Sequence, residues 1–203
     1  RQNLYLAVKT WAAYIGLSDL FRQAGEQGLA DQAYASATLC ASTIVSKWDD
    51  ALGYIPAVFE DGNVSAIIPA IEGLVFPKVM GLDHALDFDG DFGPFLSTLK
   101  RHFENIFKKG TCLYDDNGWK LSSTADNSWM SKICLCQFVA RSVLGIDFGE
   151  DQLQHDTAHM NWEIFGSTFS ACSDQFASGV AMGSLYYPRI VTNVLWMSEN
   201  TTL

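Results

Sequence analysis

In the stretch Asn127-Ser-Trp-Met-Ser-Lys-Ile-Cys-Leu-Cys-Gln-Phe-Val-Ala-Arg-Ser-Val-Leu144, apolar residues fall on most sides of a helix drawn through them. Gly145 stops the pattern. Such a helix is expected to be buried all round, because one-sided burial needs only one apolar stripe. Leu4 to Ala24 reads the same way, with Leu4, Leu6, Val8, Trp11, Ala12, Ile15, Leu17, Leu20 and Phe21 on nearly every side. Gly25 and Gly28 end it.

Other segments read as one-sided. Pro94 suits the first turn of a helix whose stripe is Phe95, Leu99, Phe103, Ile106 and Phe107. Lys100, Arg101, Glu104 and Lys108 lie mostly off that stripe, and Gly110 closes the helix. A helix from about Gln32 to Leu52 is predicted after Asp31, ending at Gly53. The last region, Ser173 to Ser198, reads as helical with small residues at Ala177, Gly179, Ala181 and Gly183, interrupted at Pro188. Between these, Cys112 to Leu121 places Asn117-Gly118 between short apolar and aromatic flanks, the pattern of a β-hairpin. Helices buried on both faces alternating with one-sided ones are what a barrel of helical hairpins requires, whereas an ordinary bundle has one-sided helices throughout. The expected class is all-α, with one small β-hairpin. No linker divides the chain and no internal repeat stands out.

Composition narrows the function. The 203 residues carry a net charge of −10, which disfavours a phosphate backbone or an anionic membrane surface as partner. Hydrophobic residues make up 48% and charged ones 18%, a low figure that suggests part of the surface is normally covered. The chain opens inside an apolar helical pattern, as though cut from something longer. No signal-peptide pattern and no run of about 18 apolar residues occurs. The five cysteines, Cys40, Cys112, Cys134, Cys136 and Cys172, are odd in number and scattered, which fits free thiols in a reducing compartment such as the cytoplasm.

Several separated stretches carry a family resemblance. They are Asn3-Leu-Tyr-Leu-Ala-Val-Lys-Thr-Trp-Ala-Ala13, Ile67-Ile-Pro-Ala-Ile-Glu-Gly-Leu-Val-Phe-Pro77, Asn117-Gly-Trp-Lys-Leu-Ser-Ser123, Asn127-Ser-Trp-Met-Ser-Lys-Ile133 and Ala171-Cys-Ser-Asp-Gln175. Together they resemble the C-terminal part of the glycoside hydrolases of family 52, the retaining β-xylosidases. The resemblance implies an N-terminal β-sandwich joined to a six-hairpin (α/α)6 barrel, α+β as a whole, of which residues 1–203 form part. It implies release of xylose from xylo-oligosaccharides, no cofactor, and two catalytic carboxylates that lie upstream of Arg1. The partners it implies are the substrate and the remainder of the same enzyme. A homodimer of the full enzyme is compatible with it. A six-hairpin glycosidase for another sugar, or a non-catalytic carbohydrate-binding helical module, remain as alternatives.

Six residues stand out as candidates for lining a sugar pocket. Glu72 sits in a strongly apolar run, where an unpaired carboxylate is costly. It is either a paired structural glutamate or part of the pocket; direct catalysis would require the upstream assignment to fail. Asp126, Asn127 and Trp129 precede the all-round apolar helix, where short polar groups and free amides gather and an aromatic ring could form a platform. Simple N-capping, with Trp129 in the core, explains the same pattern. Trp162 and Asp174 repeat the theme of polar residues around a helix start.

Three patterns resemble chemistry without its full signature. His155-Asp-Thr-Ala-His159 lacks the glutamate and third ligand of a zinc protease and reads as a surface loop. Asp87-Phe-Asp-Gly-Asp91 lacks the glycine and glutamate an EF-hand needs at later positions, where Phe92 and Thr98 stand. Cys134 and Cys136 diverge on a helix and have no second pair to complete a zinc site. The expectation is therefore no metal.

Overall fold

The computed structural model describes residues 2–60, 62–170 and 173–183, and the chain forms two compact units. The first comprises residues 1–65 and 70–105, the second 66–69 and 106–203. Six α-helices and a small antiparallel sheet make up the regular structure among the described residues, so the predominantly helical class holds.

In the first unit, α1 (Leu4–Gln23) and α2 (Gln27–Val45) fold back on each other as a helical hairpin. The Asn3 side chain accepts from the Leu6 amide and starts α1. α1 buries Leu4, Val8, Trp11, Ala12, Ile15 and Ser18. Opposite them, α2 presents Ala30, Ala33, Ala37 and Ala41, whose small side chains allow close approach, and Ser18 donates to the Ala30 carbonyl at 2.9 Å. α1 is therefore buried on one face only. Leu6, Leu17 and Leu20, expected in an all-round buried helix, are exposed in this chain. α2 also begins and ends earlier than the sequence suggests. The Asp49 side chain accepts from the amides of Ala51 and Leu52, and this local turn competes with helix beyond Val45. Gly53, at φ 76°, closes that turn and not the helix.

The apolar run around Glu72 forms a 3-10 helix, Ile68–Leu74, leading into α3 (Val75–Val79). Gly73 lies so close to α1 that a Cβ there would meet the Val8 backbone at 2.9 Å. α4 (Gly93–Ile106) carries the expected stripe, with Phe95, Leu96, Leu99, Phe103 and Ile106 buried and Arg101 and Glu104 exposed. Phe92 and Phe95 pack on Trp11 at ring-centroid distances of 5.4 and 4.8 Å.

In the second unit, α5 (Met130–Ser142) is buried on all sides, from Met130 through Ala140, as its sequence demands. Gly145 at φ 61° ends it, and the Ile146 amide reaches back to the Ala140 carbonyl. The 112–121 hairpin is present but pairs through a single bridge, Leu113 with Trp119. α6 spans Asp151–Phe165. The region from Ser173 departs from its predicted helix. Through residue 183 it forms β2 (Gln175–Ala177) and β3 (Val180–Ala181), and β1 (Ser128–Trp129) pairs with β2. Ser178 and Gly179 both have positive φ, 45° and 79°, and make the two-residue turn of a tight hairpin. The small residues that suggest helix packing thus serve a turn. The remainder of that segment, with Pro188, lies outside the described residues.

Candidate functional site

Three side chains of one α6 face, His155, His159 and Trp162, dock onto the 112–121 hairpin. His155 Nδ1 lies 2.7 Å from the Asn117 carbonyl oxygen, so that nitrogen carries the donated proton. His159 Nε2 accepts from the Trp119 amide at 3.0 Å. The Trp162 indole donates to Asp116 Oδ2 at 2.8 Å. The histidine pair is therefore helical and buried, and does not form the surface loop expected from sequence. Burial, with the neighbouring His155, holds His159 neutral and pulls it down to about 3. The contact requires glycine at two points. A Cβ on Gly118 would stand 2.0 Å from the Trp162 ring, and one on Gly179 would stand 2.7 Å from its indole nitrogen. Phe176 stacks on the same ring at 5.9 Å.

Beside this packing centre lies a polar cluster at the tip of the β2–β3 turn. Asp126 is exposed and accepts from the Tyr114 hydroxyl at 2.7 Å and from the Ser178 hydroxyl at 2.9 and 3.0 Å. Those two donors, and then the Lys120 charge, hold Asp126 below the usual carboxylate range. Tyr114 is pushed up to about 12, by burial first and then by the bonded Asp126. Its ring also meets Trp162 edge-on at 5.7 Å. Asn127 and Trp129 are half-buried next to this cluster in sequence.

Asp174 is fully buried. Its carboxylate accepts from the Ser131 amide at 2.8 Å and the Ser131 hydroxyl at 3.1 Å, and its carbonyl accepts from the Met130 amide at 2.7 Å. Trp129, at the N-cap, makes no side-chain capping bond, and Asp174, just before β2, satisfies first-turn amides of α5. Glu163 of α6 is the residue that sequence reasoning passed over. Both of its oxygens are buried without a hydrogen-bond partner among the described residues. Burial first, and the Asp174 charge second, push it up to about 7. Its only sequence signal is a carboxylate within the apolar Trp162-Glu-Ile-Phe165.

Glu72 belongs to the first unit. It is 4% exposed and pairs with Lys9 Nζ at 2.7 Å, while the Tyr5 hydroxyl donates to it at 3.3 Å. Lys9 is partly desolvated, which lowers its affinity for a proton, but Glu72 and Tyr5 outweigh this and raise it.

Comparison with known proteins gives this geometry its context. No protein-family model matches the chain. A curated β-xylosidase from Geobacillus stearothermophilus is 50% identical to it over 201 residues. The chain is homologous to a segment of a β-xylosidase. The match covers 98% of this chain and 28% of the relative, so the chain spans less than a third of that β-xylosidase's length.

Within this xylosidase-like segment, Asp126, Trp129, Trp162 and Asp174 all belong to the second unit, joined by the sheet and α6. Asp126, Asn127 and Trp129 keep exposed or half-exposed surface, whereas Trp162 and Asp174 are committed to packing and capping. An open hollow of about 370 Å³ beside α6 is lined by Asp116, Asn117, Leu153, Gln154, Thr157 and Asn161. Among the described residues, no group of three or more His, Cys, Asp or Glu side chains gathers closely enough to hold a metal. Cys40, Cys112, Cys134 and Cys136 form no disulfide among the described residues, and Cys172 lies outside them. No described helix is long and apolar enough to cross a membrane.

Proposed function

We propose that this chain is the C-terminal part of the helical barrel of a family 52 glycoside hydrolase. The complete enzyme releases terminal β-1,4-linked xylose from xylo-oligosaccharides with retention of configuration. The observation that carries this reading is the 50% identity to a β-xylosidase over nearly the whole chain. In this account the two catalytic carboxylates stand on the part of the enzyme outside the chain. One attacks the anomeric carbon, and the other first protonates the leaving oxygen and then activates water. The chain itself supplies barrel wall and the polar edge of the pocket.

Asp126 suits that edge best. It is exposed, ionised and already fixed by two hydroxyl donors, so its remaining acceptor sites can take sugar hydroxyls with little ordering cost. Asn127 and Trp129 add an amide and an aromatic edge. Glu72, Trp162 and Asp174 support the wall from within. The enzyme works in the cytoplasm, where its thiols stay reduced, needs no cofactor, and is compatible with a homodimer.

The test is hydrolysis of a panel of nitrophenyl glycosides by the complete natural protein, with the anomer released from a xyloside followed by NMR. Preference for the β-xyloside with β-xylose released first supports the proposal. Preference for another sugar, or first release of the α-anomer, overturns the corresponding part.

A further inference from the structure

In the first unit, the Lys9 side chain of α1 stands at the centre of a small polar cluster. Its Nζ donates to the Tyr5 hydroxyl at 2.6 Å and pairs with Glu72 at 2.7 Å. The same ammonium lies 4.5 Å from the Tyr5 ring centroid and 5.6 Å from that of Phe76 in α3. An ammonium has three donors, and among the described residues these contacts engage two of them. The Lys9 side chain remains 29% exposed, although the Glu72 side chain that holds it is almost wholly buried. Phe76 beside it is 41% exposed.

Stability alone does not call for this arrangement. Withdrawing a carboxylate from water costs energy that a cationic partner does little more than offset, and well-packed apolar side chains often do as well or better. What the buried Glu72 does accomplish is to hold the head of a flexible lysine in one place. A donor already held in place loses less freedom when a ligand arrives. Glu72 also cancels the Lys9 charge, so a carboxylate or phosphate gains little there. A neutral hydroxyl suits the remaining donor, and the exposed Phe76 ring suits the C–H face of a sugar.

We infer that Lys9 and Phe76 form a sugar contact, in which Lys9 Nζ donates its third proton to a hydroxyl of the xylo-oligosaccharide and Phe76 packs on the C–H face of the same ring. This rests on the proposed function, which supplies the sugar. Tyr5 and Glu72 are positioning residues that act through Lys9.

The test is steady-state kinetics of the complete natural protein and two variants on nitrophenyl β-xyloside and xylobiose. Phe76→Ala alters an exposed ring and is expected to keep the fold. Lys9→Met with Glu72→Leu removes the donor and the buried charge together, which limits the loss of stability. Each variant is expected to raise KM at least ~5-fold with kcat within ~2-fold, because the contact is made in ground and transition states alike. A purely structural role instead lowers the amount of active enzyme and leaves KM where it was. KM values within ~2-fold of the natural protein in both folded variants overturn the inference. If either variant fails to fold, a crystal structure of the unaltered complete protein with xylose replaces the kinetics. A sugar hydroxyl within hydrogen-bond reach of Lys9 Nζ is expected there, and a structure with no sugar at Lys9 overturns the inference. Xyloside hydrolysis by the natural protein separates the two claims. Turnover with no effect at Lys9 or Phe76 removes only this contact, whereas sugar bound at Lys9 in a protein that hydrolyses no glycoside removes only the functional reading.

Discussion

Glu72 in the first unit and Glu163 in the second are both glutamates withdrawn from water, and they meet that condition in opposite ways. Glu72 pairs with Lys9 and accepts from Tyr5. Glu163 has no such donor among the described residues, faces the Asp174 carboxylate, and gives up its charge near neutral pH. The two differ in partner, a cation at Glu72 and a second carboxylate at Glu163, and at Glu163 burial is the larger cause of the shift. A carboxylate beside a cation holds two elements together, while one beside another carboxylate becomes an acid.

The largest expected effect comes from breaking the Glu72 pair on one side. Lys9→Met takes the cation away from a buried carboxylate, and should cost about 3 kcal/mol in urea unfolding, whereas Lys9→Met with Glu72→Leu should recover much of the loss. If the single and double variants are equally stable, the Lys9 pair is not what offsets the burial of Glu72.

Next, Asp174→Ala should destabilise by about 2 kcal/mol, because the carboxylate accepts from the amide and hydroxyl of Ser131 in the first turn of α5, while the Met130 amide keeps its bond to the backbone carbonyl of residue 174. Asp174→Asn sharpens the comparison further. It removes the negative neighbour, so the Glu163 titration should move down from about 7. An unchanged titration, followed by NMR of the side-chain carboxyl, would show that burial alone accounts for the shift.

The smallest effect is the pH dependence carried by Glu163 itself. Its proton affinity is higher in the folded chain than in the unfolded one, so the folded state binds more protons between about 4.5 and about 7. Stability contributed by this group is therefore complete below about 4.5 and declines as pH rises to about 7. Glu163→Gln should remove that decline and stabilise the chain at pH 8 by about 1 kcal/mol, a figure discounted because the residue is only partly withdrawn from solvent. Parallel stability curves for the two proteins would contradict this.

Much of the helical framework is legible in the sequence. α1 follows from its apolar spacing and α4 from its stripe with Pro94 at the start, and α5 follows from its lack of any polar side. The failures have physical causes. The run Ala177-Ser-Gly-Val-Ala181 is short, small and without strong periodicity, so helix packing and a tight hairpin turn fit it equally until the positive φ of Ser178 and Gly179 decides. For α1, the pattern shows how many sides are apolar but not which of them this chain covers. The site was legible as a neighbourhood more than as a set of roles. Asp126, Trp129, Trp162 and Asp174 do share one unit, yet Trp162 is held between two glycines and Asp174 caps a helix more than forty positions away in sequence. Those roles depend on tertiary neighbours that no local window contains.

The most direct test of the account is nitrophenyl β-xyloside hydrolysis by the complete natural protein and by the 203-residue chain, each first shown by thermal melting to be folded. The account predicts turnover by the complete protein and none by the folded chain. Turnover by the folded chain would place the catalytic carboxylates within it, with Glu72 and Glu163 the first to mutate, and inactivity of the complete protein would contradict the glycosidase assignment itself.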